Sequence, residues 1–318
     1  NGSAWVQMGS DIDGEANEDH SGTSVSLNSD GTRVAIGAPD NNGTGTRSGH
    51  TRIYEWNGVN AWVQMGSDID GEAADDLSGS SVSMSLDGNR VAIGAPRNDG
   101  DRGGFNYGHT RIYEWSGTSW IQLGNDIEGE DAQDAAGSSV SLNSDGTHVA
   151  IGAPFNSGVG SQSGHTRIYR WNGTVWSQVG DDIDGKAADE YSGGSVSLNA
   201  DGTRVAIGPD PTISNTEPGY TRVYEWNGTV WEQIGLDIVE KAPGDRSGQS
   251  VSMDSDGLVV AIGANGHSSG AGQVRVFSLP APPEPPAPAA PAPYSGPLIT
   301  SVGSGNTFSS AGETVTIN

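Results

Sequence analysis

The feature that most constrains this chain is an internal repeat. Five tryptophans in the same context lie 57, 58, 56 and 55 residues apart: Trp5, Trp62, Trp120, Trp176 and Trp231. A second motif, Asp-Gly-x-x-Val-Ala-Ile-Gly, begins at Asp30, Asp87, Asp145, Asp201 and Asp256. A fixed period of this length is typical of arrays in which each unit is one supersecondary structure that stacks on its neighbours. The sequence therefore predicts five stacked units.

Each unit predicts four short antiparallel strands. In the second unit, Ser80–Met84 alternates small polar with apolar residues, and Arg90–Ala95 is an apolar run typical of a buried strand. Asp87-Gly88 between them favours a tight hairpin turn. His109–Trp115 and Trp120–Gly124 follow as the third and fourth strands. Such a unit cannot bury both faces alone, so we expect an all-β, five-bladed β-propeller of four-stranded antiparallel blades.

The two ends of the repeat region predict how the ring closes. The chain opens with a lone fourth strand, Trp5–Met8, and the fifth unit stops after its third strand, Gln273–Phe277. We expect the N-terminal strand to complete the last blade, because this removes a free sheet edge. The first residue is Asn1 and not methionine, so we also expect a piece of a longer product, in which six or seven blades become possible.

The turn after the second strand resembles the FG-GAP repeat of integrin α-subunit propellers. Gly-Ala-Pro occurs at Gly37–Pro39, Gly94–Pro96 and Gly152–Pro154, each after a Ser-Val-Ser strand. The resemblance covers residues 1–279 and implies a propeller with an extracellular recognition or scaffold role. The family's Phe-Gly is Ser-Gly here, as at Ser21-Gly22. Its calcium hairpin is reduced to Asn28–Gly31, which has too few oxygen ligands to hold calcium.

The composition changes after the repeats. Residues 280–295 are rich in proline and alanine, which predicts a stiff polyproline II linker. Residues 296–318 contain two strand-like runs, Gly296–Val302 and Ala311–Ile317, and resemble the beginning of an IPT/TIG immunoglobulin-like β-sandwich that is incomplete here. We therefore divide the chain into a propeller at 1–279, this linker and the start of a further β domain, which is the layout of a surface or filament protein.

The composition argues against several classes of partner. Fifteen basic residues against 40 acidic ones give a net charge of −25, which repels nucleic acids and anionic membranes. The chain has no cysteine, so it has no disulfide framework and no thiolate metal site. No apolar stretch reaches the ~18–20 residues that span a bilayer. We expect neither nucleic-acid binding nor membrane insertion, and instead extracellular proteins, glycans or neighbouring copies of the chain as partners.

The segment that leaves each fourth strand is acidic and forms our candidate calcium sites. Alternating carboxylates beside a glycine offer the oxygen ligands that calcium prefers. The competing interpretation is that these acids cap backbone N–H groups in turns, because the fourth and fifth copies replace the third acid with Lys186 and Lys241. The candidate ligands come from the first three copies: Asp11, Asp13, Glu15, Asp19, Asp68, Asp70, Glu72, Asp76, Asp126, Glu128, Glu130 and Asp134.

Three histidines recur immediately before the Thr-Arg of the third strand: His50, His109 and His165. Recurrent histidines invite a metal interpretation. Because these three belong to different blades, we expect that they cannot share one ion and that zinc is not bound.

Four Asn-x-Ser/Thr sequons are candidate glycosylation sites: Asn1, Asn42, Asn172 and Asn227. Asn172 and Asn227 occupy the Trp-Asn-Gly turn between the third and fourth strands. Asn-Gly also suits a tight hairpin turn without any glycan. Both interpretations stay open at this point.

The uniformity of the repeat sets the function hypotheses. A catalytic site needs a unique set of residues, whereas serine, histidine and aspartate recur in the same positions of each unit, so we expect no enzyme. The leading hypothesis is an extracellular structural or adhesive module of a cell-surface or filament-forming glycoprotein, acting through protein or glycan contacts. The alternatives are a lectin-like propeller with one glycan pocket per blade and an enzyme in the axial funnel.

Overall fold

The computed structural model describes residues 4–100, 105–210, 219–240, 242 and 244–279, and two strands near the C-terminus. The chain divides into two compact units, Asn1–Leu279 and Pro280–Asn318. The strands of the first unit form five consecutive antiparallel sheets. The predicted all-β, five-bladed β-propeller is thereby confirmed.

The first three blades share one design, in which the fourth strand is split into two short pieces that both pair with the third strand. Their strands are β1 (Ser24–Leu27), β2 (Arg33–Ala38), β3 (His50–Trp56), β4 (Trp62–Gln64), β5 (Ile69–Asp70), β6 (Ser81–Met84), β7 (Arg90–Ala95), β8 (His109–Trp115), β9 (Trp120–Gln122), β10 (Ile127–Glu128), β11 (Ser139–Leu142), β12 (His148–Ala153), β13 (His165–Trp171), β14 (Trp176–Gln178) and β15 (Ile183–Asp184).

The last two blades differ in their fourth strand. In blade 4 that strand is continuous, and in blade 5 the sheet has three strands. A one-turn segment, α1 (His267–Gly270), connects the last two strands of blade 5. The strands are β16 (Ser192–Leu198), β17 (Arg204–Pro209), β18 (Tyr220–Trp226), β19 (Trp231–Val239), β20 (Ser247–Met253), β21 (Val259–Ala264) and β22 (Gln273–Ser278).

The core lies between the blades. The second strand of each sheet has a neighbouring strand on either side, and its Val-Ala-Ile motif is fully buried in blades 2 to 4. At the junction of blades 2 and 3, Ala92 and Ile112 of one blade pack against Val140, Leu142 and Ile151 of the next. Because both faces of such a strand are covered, it is apolar throughout.

The Ser-Val-Ser strand also joins neighbouring blades. Ser81 Oγ donates a hydrogen bond to the carbonyl of Gly137 in the next blade (2.8 Å), and Ser83 Oγ accepts one from the backbone N–H of Leu142 (2.9 Å). The same pairs recur at the other three junctions. The alternation of small polar residues is therefore a device for blade stacking.

The glycine of the Gly-Ala-Pro turn is required for space. A Cβ atom on Gly94 would overlap the carbonyl oxygen of Gly137 in the next blade. Gly37, Gly152 and Gly208 meet the next blade in the same way. None of these glycines has a positive φ, so the close approach of two backbones explains the residue.

A tryptophan pair fastens each fourth strand to the preceding blade. Trp115 and Trp120 lie with their ring centroids 5.3 Å apart, and both rings pack on Gly66. Trp120 Nε1 donates a hydrogen bond to the carbonyl of Met65 (2.9 Å). Equivalent bonds join Trp62 to Met8, Trp176 to Leu123 and Trp231 to Val179.

The N-terminal strand does not close the last blade, which corrects that part of the prediction. β22 is the edge of its sheet, and residues 5–8 form no strand. The N-terminal segment packs on blade 1 instead, where the Met8 carbonyl accepts its hydrogen bond from Trp62. The physical reason is that the outer faces of blades 1 and 5 are both open to solvent, so the segment lacks a second surface to bridge.

The second unit contributes one described hairpin. β23 (Thr307–Ser310) pairs with β24 (Glu313–Thr316) in antiparallel register. β24 lies inside the predicted run Ala311–Ile317, whereas β23 was not predicted. The Pro/Ala linker and the run Gly296–Val302 lie outside the described residues, and the IPT/TIG resemblance stays a prediction. Among the described residues, no helix is both long and apolar enough to cross a membrane.

Candidate metal centres at the blade junctions

The first residue of the third strand is a buried histidine in blades 1 to 3. His50, His109 and His165 are each 1% exposed. Within the described part of the chain, neither ring nitrogen of these histidines has a hydrogen-bond partner. A buried polar group without a partner costs about 1–3 kcal/mol, so three equivalent buried imidazoles that make no well-formed hydrogen bond require an explanation.

Each histidine faces two carboxylates. In the second cluster, His109 Nδ1 lies 3.3 Å from Asp126 Oδ2 and 3.9 Å from Glu72 Oε2. Asp126 lies between the two pieces of the fourth strand of the same blade, whereas Glu72 belongs to the loop that leaves the preceding blade. The cluster therefore bridges two blades.

The structure repeats this arrangement in three clusters among the described residues. We call them the junction clusters: Glu15–His50–Asp68, Glu72–His109–Asp126 and Glu130–His165–Asp182. In each one, a single ligand atom per residue can be chosen so that all three atoms lie within 4.8 Å of one another. His50 Nδ1 is 3.6 Å from Asp68 and 3.8 Å from Glu15, and His165 Nδ1 is 3.4 Å from Asp182.

These spacings fit a bound metal ion. A tetrahedral ion with bonds of about 2.1 Å holds its ligand atoms about 3.4 Å apart. The aspartate is already oriented, because Gln122 Nε2 donates a hydrogen bond to Asp126 Oδ1 (2.5 Å) and leaves Oδ2 facing the imidazole. The Glu72 side chain is 49% exposed, so each cluster has one side open to solvent.

An arginine borders each cluster. Arg111 Nη1 lies 3.5 Å from Glu72 Oε1, and its Nη2 donates a hydrogen bond to the carbonyl of Asp70 (2.6 Å). In the third cluster, burial and the charge of Arg167 lower the pKa of His165 to about 4, against the opposing effect of Asp182. The imidazole is therefore neutral at pH 7, the form that has a lone pair for a metal.

Blade 4 holds a different set at the same position. Tyr220 replaces the histidine and Lys186 replaces the glutamate, while Asp237 keeps the aspartate. Lys186 Nζ and Arg222 Nε each donate a hydrogen bond to Asp237 at 2.9 Å. Burial alone would raise the pKa of Asp237, but hydrogen bonds from Lys186, Gln233 and Arg222 lower it to about 2. Where the imidazole is missing, Lys186 and Arg222 place positive charge directly against the aspartate.

The structure separates the twelve predicted calcium ligands into groups. Glu15, Asp68, Glu72, Asp126 and Glu130 enter the junction clusters. Asp19, Asp76 and Asp134 are buried turn caps: their Oδ2 atoms accept hydrogen bonds from the backbone N–H groups of Ala16, Ala73 and Asp131, each at 2.9 Å.

The other four predicted ligands lie apart from the clusters. Asp13, Asp70 and Glu128 offer their backbone carbonyls to the arginines of the third strand, at 2.6 Å each. Asp11 accepts a side-chain hydrogen bond from Gln7 (2.8 Å). Calcium itself stays a prediction, and the capping interpretation describes three of the twelve acids.

Sequence reasoning missed the histidines and Asp182 for an identifiable reason. The three histidines were expected to need a common ion, whereas each has its own pair of acids from the flanking repeats. The signal was present in the joint replacement along the repeat. Glutamate and histidine occur together in copies one to three, and both are replaced together by Lys186 and Tyr220 in copy four.

A large pocket opens beside the second cluster. It has a volume of about 940 Å³ and lies between blades 2 and 3. Glu72 and Asp126 of the cluster form part of its wall, opposite Arg167, Tyr169 and Trp176 of blade 3. A smaller pocket of about 250 Å³ occupies the corresponding place between the N-terminal segment and blade 1.

The described sequons lie at exposed positions. Asn42, Asn172 and Asn227 are all exposed, and Asn1 lies outside the described residues. Asn172 Oδ1 accepts hydrogen bonds from the N–H groups of Thr174 and Val175, at 2.9 Å each, and Asn227 does the same in blade 4. Turn geometry thus explains these two asparagines, and glycosylation stays a prediction.

No protein-family model and no curated protein matches the sequence. Hydrazine synthase of Kuenenia stuttgartiensis is similar in fold with a TM-score of 0.50 and 10% identity, over 83% of this chain and 60% of that chain. Periplasmic gluconolactonase PpgL of Pseudomonas aeruginosa has a TM-score of 0.50 and 13% identity, over 81% and 72%. A putative TolB from Agrobacterium tumefaciens has a TM-score of 0.48 and 9% identity, over 80% and 76%.

These neighbours are β-propeller-like proteins with repeated four-stranded blades. At such low identity they show the fold alone. They nevertheless correct the expectation that the chain is not an enzyme, because the same type of fold occurs in a gluconolactonase. The propeller fold by itself is therefore no argument against an active site.

Proposed function

We propose that the first unit is a metal-binding β-propeller, related to FG-GAP repeats, and that it serves as an extracellular structural or adhesive module. The observation that carries the proposal is the set of three buried imidazoles that make no well-formed hydrogen bond and each face two carboxylates. Blade 4 supports it, because a lysine ammonium lies against the aspartate where the imidazole is absent. This position selects for a cation, which is built into the side chains of blade 4 and is acquired from solution at the three junction clusters.

The ligand set favours a transition metal over calcium. Calcium takes oxygen ligands almost alone, whereas an imidazole nitrogen suits Zn²⁺, Mn²⁺ or Co²⁺. Each junction cluster offers one nitrogen and two carboxylates, with the nitrogen on the most deeply buried residue. Zn²⁺ and Mn²⁺ are the ions we propose.

An ion held in this way suits adhesion. Three protein ligands leave at least one coordination position open, as in metal sites that bind an exogenous group. The open side faces solvent, since the glutamate of each cluster is about half exposed. A carboxylate or hydroxyl of a partner protein or glycan can complete the coordination, so that recognition at the cell surface depends on the metal.

We expect titration of the metal-free protein with Zn²⁺ or Mn²⁺ to give three binding sites per chain by isothermal calorimetry. Replacing His109 with glutamine removes one of three ligands, so one site should weaken by at least about 100-fold, since even outer ligand partners contribute 10–100-fold. The number of sites should then fall to two.

A metal concentration 100 times the Kd stabilises a folded protein by about 2.7 kcal/mol, so EDTA should lower the melting temperature.

Tyr220→Phe is the matched control, because it alters the equivalent position of blade 4, where Lys186 replaces the glutamate of the junction clusters. It should leave three sites. A wild-type protein that binds less than one ion per chain, or a His109→Gln variant that still binds three, would contradict the proposal.

A second candidate function, glycan binding, is favoured by the 940 Å³ pocket. Its wall combines Trp176 and Tyr169 with Arg167 and two carboxylates of the second cluster. Aromatic faces and planar polar groups are the side chains that hold polyhydroxylated ligands in position. A sugar in this pocket would lie beside the ion of the second cluster.

We expect binding to a glycan array in the presence of Zn²⁺ that EDTA abolishes. His109→Gln should remove this binding, because Glu72 and Asp126 line the pocket, whereas His50→Gln alters a cluster outside it and should not. Equal loss in both variants would point to a general effect on the fold. Binding that persists in EDTA would reject a role for the metal.

A further inference from the structure

The two ends of the propeller expose surfaces that are buried at every internal junction. Val276 on β22 is 65% exposed, whereas Ile53, Ile112 and Ile168 at the same repeat position are 1% exposed. At the opposite end, Val25 on β1 is 64% exposed, whereas its counterpart Val140 is 9% exposed. We call these the blade-5 face and the blade-1 face.

Blade 5 also lacks the tryptophan that would pack on β19 of blade 4. At the first three junctions a tryptophan pair packs on a glycine that follows the first part of the preceding blade's fourth strand: Gly66, Gly124 and Gly180. The corresponding glycine, Gly235, has no atom within 4 Å of where a Cβ would lie. An apolar pocket of about 190 Å³ lies there, lined by Ile234, Leu236 and Leu279.

The missing tryptophan is present at the other end of the chain. Trp5 begins the same Trp-Val-Gln-Met-Gly-Ser sequence as Trp62 and is fully exposed. Its segment is held on blade 1 by the Met8–Trp62 hydrogen bond. The blade-1 end therefore carries the fourth strand that the blade-5 end lacks.

We infer that blade 5 binds a second copy of this chain. The edge strand β22 pairs with the N-terminal segment of that copy, and the blade-5 face packs on its blade-1 face. Trp5 of one copy enters the pocket at Gly235 of the other and donates its indole N–H to the Ile234 carbonyl. Residues 5–7 pair with Phe277–Leu279, in the register by which Trp62–Gln64 pairs with Tyr54–Trp56. The contact repeats an interface that the chain already forms three times between its own blades, at Gly66, Gly124 and Gly180.

A second copy is the occupant because the chain's own ends do not cover each other. Both faces are exposed in one and the same structure, and the N-terminal segment stays with blade 1. The two faces differ from one another, so the contact is head-to-tail and produces chains or rings of copies. With a net charge of −25 on each copy, added salt should strengthen the association by screening repulsion.

The test uses two single-cysteine variants, which is straightforward because the chain has no native cysteine. Val6 and Ser278 lie opposite each other in the inferred register, as Val63 and Glu55 do in blade 1. An equimolar mixture of Val6→Cys and Ser278→Cys should form a disulfide-linked heterodimer under oxidising conditions. Neither variant alone should form a disulfide-linked dimer.

A second measurement keeps the inference falsifiable if oxidation is inefficient. Sedimentation should show salt-promoted self-association that weakens at least about 10-fold in Trp5→Ala, since a tryptophan in a central pocket is a typical hot spot. Val59→Ala, an exposed apolar residue in a blade-1 turn, should associate like the wild type. A monomer at all concentrations would overturn the inference. So would a double variant, Val6→Cys/Ser278→Cys, whose disulfide forms only within single chains, because that result would mean closure by the chain's own strand.

Discussion

Replacing Gly94 with alanine should destabilise the propeller by about 3 kcal/mol or more, at the upper end of the usual cost of overpacking. The added methyl group would overlap the carbonyl oxygen of Gly137 and also approaches Ser81 Oγ, which itself bonds to that carbonyl. The obstacle is backbone from the next blade, which cannot rotate away as a side chain can. Blades 2 and 3 would have to separate, and their shared apolar cluster would be exposed. Urea denaturation followed by tryptophan fluorescence measures the change.

Gly263 is the matched control for this prediction. It occupies the same repeat position in blade 5, where the three atoms nearest to an added Cβ all belong to Ser250 of the same sheet. A serine hydroxyl can rotate, so Gly263→Ala should cost less than about 1 kcal/mol, close to an ordinary surface substitution. Equal effects of Gly94→Ala and Gly263→Ala would mean that the glycine serves the strand itself and not the junction.

The double variant Lys186→Glu/Tyr220→His should create a fourth metal site, raising the number of bound Zn²⁺ ions per chain from three to four. The two substitutions place a carboxylate and an imidazole beside Asp237, which occupies the position of Asp182 in the neighbouring junction cluster. They also remove the ammonium that lies 2.9 Å from Asp237 and would repel an ion. Calorimetric titration of the metal-free variant provides the count.

The two single variants separate the contributions. Tyr220→His keeps the ammonium and Lys186→Glu lacks the imidazole, so each should bind three ions. A double variant that folds, as judged by an unchanged far-ultraviolet circular dichroism spectrum, and still binds three ions would contradict the view that the junction position selects for a cation. If a single variant already bound four, the proposed role of its unchanged partner would be wrong.

The order and type of the first three strands in each blade followed from the sequence alone. Strand patterns have a period of two and the turns carry Asp-Gly or Asn-Gly, so they depend on local backbone preferences that each unit expresses independently. The five repeats and the apolar second strand could therefore be located before any contact was known. The serines and the glycine of each unit were also visible as motifs, although their role at the blade junction was not.

Only the tertiary structure decided the candidate site and the ends of the array. A junction cluster combines a glutamate from one blade with a histidine and an aspartate from the next, and no pattern within a single repeat states which residues meet across two of them. The same limit applies to closure. The segment at Trp5 has the sequence of a fourth strand and β22 is a third strand without one, yet their pairing depends on whether the faces of blades 1 and 5 meet, and here both faces are open. Local sequence fixes the strands because backbone preferences act over a few residues, whereas contacts between blades depend on how all five sheets stack.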